Sequence, residues 1–115
     1  MPRRVTPFVA TLGDALLDVV TRMRAPLARG ADTPSTITLS AGGQAANVAA
    51  WVAVLGGRAR FIGRRADDLA GAMVAAELTR RGVELAGTVA TSGTGVLVSL
   101  VDPAGERSML PDRGS

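Results

Sequence analysis

The 115-residue chain predicts an α/β fold, a parallel sheet carrying a separate antiparallel flap. Three observations point to it. Strand-like and helix-like apolar segments alternate from Phe8 to Ala90. The pair Gly42-Gly43 switches the pattern from strand to helix, and Asp102-Pro103-Ala104-Gly105 separates two extended runs as a hairpin turn does.

Phe8 to Leu12 reads as a short buried strand closed by Gly13-Asp14, and Ala15 to Val20 continues extended with Asp18 as its one charge. Residues 22–35 hold three Arg and two Pro with Gly30 and Asp32, which is loop composition. Thr36 to Leu39 alternates polar and apolar, as a half-solvated strand should. Gln44 to Leu55 then has helix composition and stops at Gly56-Gly57. Ala59 to Ile62 is a second buried strand. Asp67-Asp68 supplies the cap and first-turn negative charge of a helix running to Arg81, with Leu69, Met73, Val74 and Leu78 at helical spacing. Val83 to Ala90 is extended, and residues 94–101 and 106–110 form the hairpin. The flap is drawn from about 15–39 and 94–110, and residues 1–115 make a single domain's worth of chain.

Composition removes several chemistries. With no Cys and no His there is no disulfide, no thiolate or imidazole metal site and no His-based catalysis, and no metal site is expected. Every basic side chain is Arg, so a Walker A loop, which needs Lys, cannot exist. The formal charge of +3 comes from arginines interleaved with acids, which argues against a nucleic-acid partner. No apolar run reaches membrane-spanning length, and Met1-Pro2-Arg3-Arg4 is not followed by a signal-peptide core, so a cytoplasmic protein without a membrane partner is expected.

Two positions stand out for binding. From Ala45 to Leu55 only Asn47 is polar, so a helix apolar all round would bury that amide and oblige it to find a partner. With Gly42-Gly43 before it, the helix start describes a pocket for a polyol or an anion; alternatively the amide caps a loop and the glycines only make the turn. Asp18 is a lone carboxylate among apolar residues. It either accepts from vicinal hydroxyls of a sugar or faces solvent on a half-exposed strand. Asp67-Asp68 reads as a helix cap rather than a catalytic pair, Arg64-Arg65 as a solvated connection rather than an anion clamp, and Gly93-Thr94-Gly95 lacks the third glycine of a dinucleotide fingerprint.

These pieces, in this order, resemble the amino-terminal region of the ribokinase-like (PfkB-type) carbohydrate kinases. The matching elements are Gly13 with Asp18, Gly42-Gly43 with Asn47, Leu55-Gly56, Phe61-Ile62-Gly63, Asp67-Asp68 with Gly71, Gly82-Val83, Thr94-Gly95, and Asp102 with Gly105-Glu106-Arg107. The register spans about residues 8–113. Ala66 stands where the family usually has Gly, and Gln44 where several members have Lys or Ser. The resemblance implies a Rossmann-like three-layer domain, here partial, with a small β-sheet lid that closes over a small-molecule sugar and often forms a homodimer. It implies that Asp18, Gly42, Gly43 and Asn47 hold sugar hydroxyls while Val96 and Val98 line the sugar's apolar face.

It also implies ATP-dependent phosphorylation with Mg2+. The family's base, an Asp in a Gly-Ala-Gly-Asp-like motif near the carboxyl end, has no match in residues 1–115, nor do the ATP-binding residues. The expectation is therefore that this polypeptide supplies the sugar-binding half and lid, and does not phosphorylate sugar alone. A nucleoside kinase is the nearest alternative activity, and a non-catalytic sugar-binding or dimerisation module is the alternative of another class.

Overall fold

The computed structural model describes residues 6–91 and 93–114; the opening Met1-Pro2-Arg3-Arg4 and the terminal Ser115 lie outside them. Nine strands and two helices follow in the order β1 (Phe8–Leu12), β2 (Leu16–Met23), β3 (Ser35–Gly42), α1 (Gln44–Val54), β4 (Arg58–Ile62), β5 (Arg65–Ala66), α2 (Leu69–Arg80), β6 (Val83–Ala86), β7 (Val89–Ala90), β8 (Gly95–Val101) and β9 (Arg107–Asp112). Three form a parallel sheet in the order β1-β4-β6, four form the lid in the order β3-β2-β8-β9, and β5 and β7 make a short parallel pair.

Both helices cover the same face of the parallel sheet, as two successive strand–helix–strand units require when they advance in one direction. Alternation along β4 shows that face: Ala59 and Phe61 are buried, while Arg58 and Arg60 point away. The core joins them to Ala46 and Ala49 of α1, Val74 and Leu78 of α2, Val83 of β6, and Ala15 and Ala41 at the root of the lid. It is a core of small aliphatic residues around one ring, Phe61, which is 1% exposed. On α2 the buried positions are Gly71, Val74 and Leu78; Leu69, expected to be inward, is exposed because Gly71 takes the first core-facing turn.

Two expected burials do not hold. β1 is half exposed, with Phe8 and Leu12 on the face that no helix covers, and Leu12 is 81% exposed. Helix α1, apolar all round, buries only Ala46, Ala49 and Ala50 and exposes Val48, Trp51, Val54 and Leu55. The described residues therefore supply two layers of a three-layer arrangement. At the base of the bare sheet face, Glu84 pairs with Arg58 (2.9 Å) and Arg60 (3.1 Å), and both guanidiniums lie about 5.5 Å from the centre of the Phe8 ring. Such exposed pairs each contribute on the order of 0–1 kcal/mol.

The lid is mixed rather than wholly antiparallel. β2–β3 and β8–β9 are antiparallel hairpins as expected, but the two hairpins join through a parallel pairing of β2 with β8. Both inner strands leave the core in the same direction, so they can only lie parallel. The strands also run further than the sequence indicates, β2 to Met23, β3 to Gly42 and β9 to Asp112.

What fixes the lid to the core is a small polar knot. Asp68 is the N-cap of α2: its Oδ1 accepts from the Gly71 N–H at 2.7 Å. The same carboxylate accepts from the Thr94 N–H (2.9 Å, Oδ2) and the Thr94 hydroxyl (2.7 Å, Oδ1). Thr94 Oγ1 in turn accepts from the Ala66 N–H at 2.9 Å. One Asp thus ties the start of α2 to the residue that opens β8, and one Thr ties both to β5. Asp67, expected to share the capping, lies outside the helix and exposed.

Gly71 belongs to the knot as well. A Cβ there would overlap the Ala66 carbonyl oxygen and come within 2.8 Å of Thr94 Oγ1. The hydrogen bonds from Thr94 and Gly71 hold the Asp68 carboxyl below its ordinary value of 3.8.

Thr94→Val should cost about 1–3 kcal/mol in chemical denaturation, because it strands the Ala66 N–H and removes a donor from Asp68, while Thr94→Ser should retain most of the stability. The pH dependence follows from the lowered Asp68 pKa. A depressed carboxylate adds stability that is present above its unfolded value, 3.8, and lost as the pH falls through the lower folded value. The stability gap between wild type and Thr94→Val should accordingly narrow below about pH 4. A gap independent of pH down to acid unfolding would show that Asp68 is not the partner that matters.

Candidate functional site

The lid root brings Asp18 and Gly42 together. β2 and β3 pair with Leu16 opposite Gly42 and Asp18 opposite Ser40. A Cβ built on Gly42 would stand 3.0 Å from Asp18 Oδ2 and 3.2 Å from the Leu16 side chain. Gly42 is thus glycine because the Asp18 carboxylate and Leu16 fill the space beside it. Gly43 has φ +99, and a Cβ there would overlap the carbonyl oxygen of Asp14. The diglycine, expected to clear an approach for a ligand, instead lets two parts of this chain close on each other and so positions Asp18 and the 13–15 turn against the start of α1.

Asp18 is half-buried, and its Oδ1 is shielded from solvent with no hydrogen-bond partner among the described residues. Thr11 Oγ1 is the other such atom. Natural structures leave few buried acceptors unpaired, and each costs about 1–3 kcal/mol or more when charged. An unpaired carboxylate oxygen near the root of the lid has the chemistry to accept from a ligand hydroxyl.

Asn47 is placed differently from its expectation. It is exposed, its backbone N–H bonds to Gly43 O at 2.9 Å, and its side-chain amide takes no hydrogen bond among the described residues. It borders a shallow cleft with Trp51, Val54 and Arg81. The argument from burial fails here because the outer face of α1 is uncovered.

Strand register sets the expected apolar wall apart from Asp18. β2 and β8 run parallel with Asp18 opposite Leu97, so these two side chains share a face with Ser40 and Pro111. Val96 and Val98, expected to line the sugar's apolar face, pair with Leu17 and Val19 on the opposite face of the sheet. The residues that do share the Asp18 face on β8 and β9 are Leu97 and Met109, and Ser99, opposite Met109, donates its hydroxyl to the Met109 sulfur at 3.1 Å. Single-sequence reading missed both, since nothing in an apolar strand says which alternate set faces a given neighbour until the register is known.

A cavity of about 340 Å³ opens beside this face, with Leu16, Leu97, Met109 and Pro111 as its apolar lining. Its polar lining comes from Asp14, Arg64, Arg65, Thr94, Asp112 and Arg113; Val96 also borders it and Val98 does not. The volume suits a small polyol. Arg64 and Arg65, expected to be a solvated connection, therefore reach the site. A second, shallower cleft lies at the end of β1 over Gly13, Asp14 and Gln44. Among the described residues no cluster of three or more acidic side chains could hold a metal ion, and no helix is long and apolar enough to cross a membrane.

Known proteins share this arrangement. Fructokinase-1 of Oryza sativa subsp. japonica is 37% identical over 97 residues, which is 82% of this chain and 28% of that protein. The guanosine-inosine kinase of Exiguobacterium acetylicum is 33% identical over 100 residues, 85% of this chain and 33% of that protein. Among solved structures, a putative ribokinase from Agrobacterium tumefaciens superposes with a TM-score of 0.85 at 27% identity, covering 96% of this chain and 37% of that one. The chain thus spans about a third of the length of the proteins it matches. The profile of the pfkB family carbohydrate kinases matches residues 6–115, and with the lid, the helix-start diglycine and the unpaired Asp18 in place, the chain belongs to that family.

Proposed function

We propose that this chain forms the sugar-binding part and lid of an ATP-dependent carbohydrate kinase, and that Asp18 grips the sugar. The observation that carries the reading is the shielded, unpartnered Oδ1 of Asp18, on the strand face it shares with Leu16 and Leu97. A sugar hydroxyl donating to it would satisfy an acceptor that the protein leaves open, at a gain of about 1.5–3 kcal/mol for a hydrogen bond to a charged group. Leu97 and Met109 would lie along the apolar edge of the ring, and the amide of Asn47 is free to meet substrate or a further part of the domain. Gly42 and Gly43 act one step back, by letting the Asp18 and Asp14 segments close on α1.

Family membership implies ATP and Mg2+. The described residues do not offer a fit for either, having neither an acidic cluster nor a lysine-bearing phosphate loop. The part played by these residues is to bind and orient the acceptor and, by lid closure, to keep water from competing for the phosphoryl group.

A nucleoside acceptor is the second reading. It is favoured by the similarity to a guanosine-inosine kinase, because a ribose offers the same hydroxyls to Asp18. The two separate by substrate: hexoses and pentoses without a base are turned over in the first case, and purine nucleosides in the second.

In the kinase that carries this chain, Asp18→Asn should weaken sugar binding about 10- to 100-fold while leaving the thermal midpoint unchanged or higher, since it removes a shielded charge. Calorimetric titration and a melting curve check the two effects together. Unchanged affinity, or lost affinity accompanied by unfolding, would count against Asp18 as the grip. Gly43→Ala should destabilise by about 1 kcal/mol or more through φ +99 and the Asp14 carbonyl, and should reduce affinity only as far as the fold loosens.

A further inference from the structure

Met109 is the methionine that this fold leaves open. It lies on β9, an edge strand of the lid along which every residue is exposed. Its side chain is 51% exposed, whereas Met23 and Met73, the other methionines among the described residues, are half-buried. The Met109 sulfur accepts from the hydroxyl of Ser99 at 3.1 Å, and Ser99 is 2% exposed. A buried donor thus relies on a thioether, one of the weakest acceptors a protein offers. Met109 also borders the cavity at the lid root, together with Leu97 and Pro111. The arrangement has two properties that a methionine in a packed core lacks. A small oxidant reaches the sulfur from solvent, and a hydroxyl already stands close enough to donate to an oxygen added to it.

We propose that Met109 is a modification site, oxidised reversibly to the sulfoxide by hydrogen peroxide, with Ser99 holding the product and the lid's grip on the sugar weakened. A lone pair of the sulfur attacks one peroxide oxygen, so that an S–O bond forms and the O–O bond breaks. The proton on the transferred oxygen passes to the departing one, which leaves as water. The sulfur gives up two electrons and the peroxide takes them. Ser99 then donates to the sulfoxide oxygen, a stronger acceptor than the thioether, so the buried hydroxyl stays paired. What changes is the cavity wall, where a flexible apolar side chain becomes polar beside Leu97 and Pro111. The effect on binding rests on the sugar-kinase reading of the lid, whereas the modification itself does not.

The test treats the kinase that carries this chain with dilute hydrogen peroxide and follows each methionine by peptide mass. Met109 should gain one oxygen about fivefold or more faster than Met23 and Met73. The oxidised protein should keep its thermal midpoint. Oxidised Ser99→Ala should instead melt below reduced Ser99→Ala, because no donor meets the sulfoxide. KM for fructose, ribose or inosine, whichever the kinase turns over, should rise about 3- to 10-fold on oxidation with kcat little changed, and methionine sulfoxide reductase should restore it. The KM of Met109→Leu, whatever its starting value, should not respond to peroxide. Oxidation of Met109 no faster than of Met23 and Met73 would overturn the proposal, as would a KM rise that persists in Met109→Leu. So would oxidised Met109 with KM unchanged in a kinase whose Asp18→Asn variant does lose affinity. Unchanged affinity in Asp18→Asn would remove the sugar reading instead, and the oxidation rates and midpoints would still decide the modification.

Discussion

The lid of this protein hangs from one carboxylate. Asp68 caps α2, holds the N–H and the hydroxyl of Thr94, and through Thr94 is tied to the N–H of Ala66. Thr94 immediately precedes β8, and β8 lies at the centre of the lid between β2 and β9. The angle at which β8 leaves the core therefore decides where Leu97 and Met109 sit relative to Asp18. A helix cap is usually a local device that satisfies a backbone N–H of the first turn. Here the same two oxygens also position an element 26 residues away. The knot is formed from short polar side chains with few rotamers, and Gly71 admits it only because a Cβ would collide with the Ala66 carbonyl.

Close backbone approach is the second constraint. This core has one buried ring and is otherwise Ala, Val and Leu, so it gains burial by bringing segments very near one another rather than by filling wide gaps. A Cβ on Gly13 would stand 2.9 Å from the Ala45 methyl, and one on Gly43 would overlap the Asp14 carbonyl. These contacts converge on the 13–15 turn, where β1 ends, β2 begins and α1 starts. Close backbone approach at this turn places the start of β2, and with it Asp18, against the start of α1.

Much of this was legible in the sequence, and the failures have one physical origin. Gly-Gly before an apolar run marked the start of α1 correctly, Asp68 was recognisable as a cap, and Asp102-Pro103-Ala104-Gly105 marked the β8–β9 turn, because each is a local signal acting within a few residues. Burial was misjudged at Leu12, Asn47 and Trp51, since an apolar side chain states that it needs cover and not that the same stretch of chain provides it. That Val96 and Val98 lie on the sheet face opposite Asp18 was illegible for a related reason. Period-2 alternation divides a strand into two sets, but only the pairing of Asp18 with Leu97 says which set shares its face. Thr94 was singled out as a motif residue, but its bonds to Asp68 and Ala66 were not legible because those partners lie more than twenty residues away in sequence.

The apolar surface left exposed is spread over the molecule and does not mark the cavity. Val48, Trp51, Val54 and Leu55 lie on α1 and its end, Phe8 and Leu12 on the bare face of the parallel sheet, and Ile37, Leu39, Met109 and Leu110 on the lid strands. Of these ten only Met109 borders the cavity. Cover placed over α1 or over the bare sheet face would therefore bury apolar surface, at a gain of about 25 cal/mol per Å², without occupying the space beside Leu16, Leu97 and Pro111.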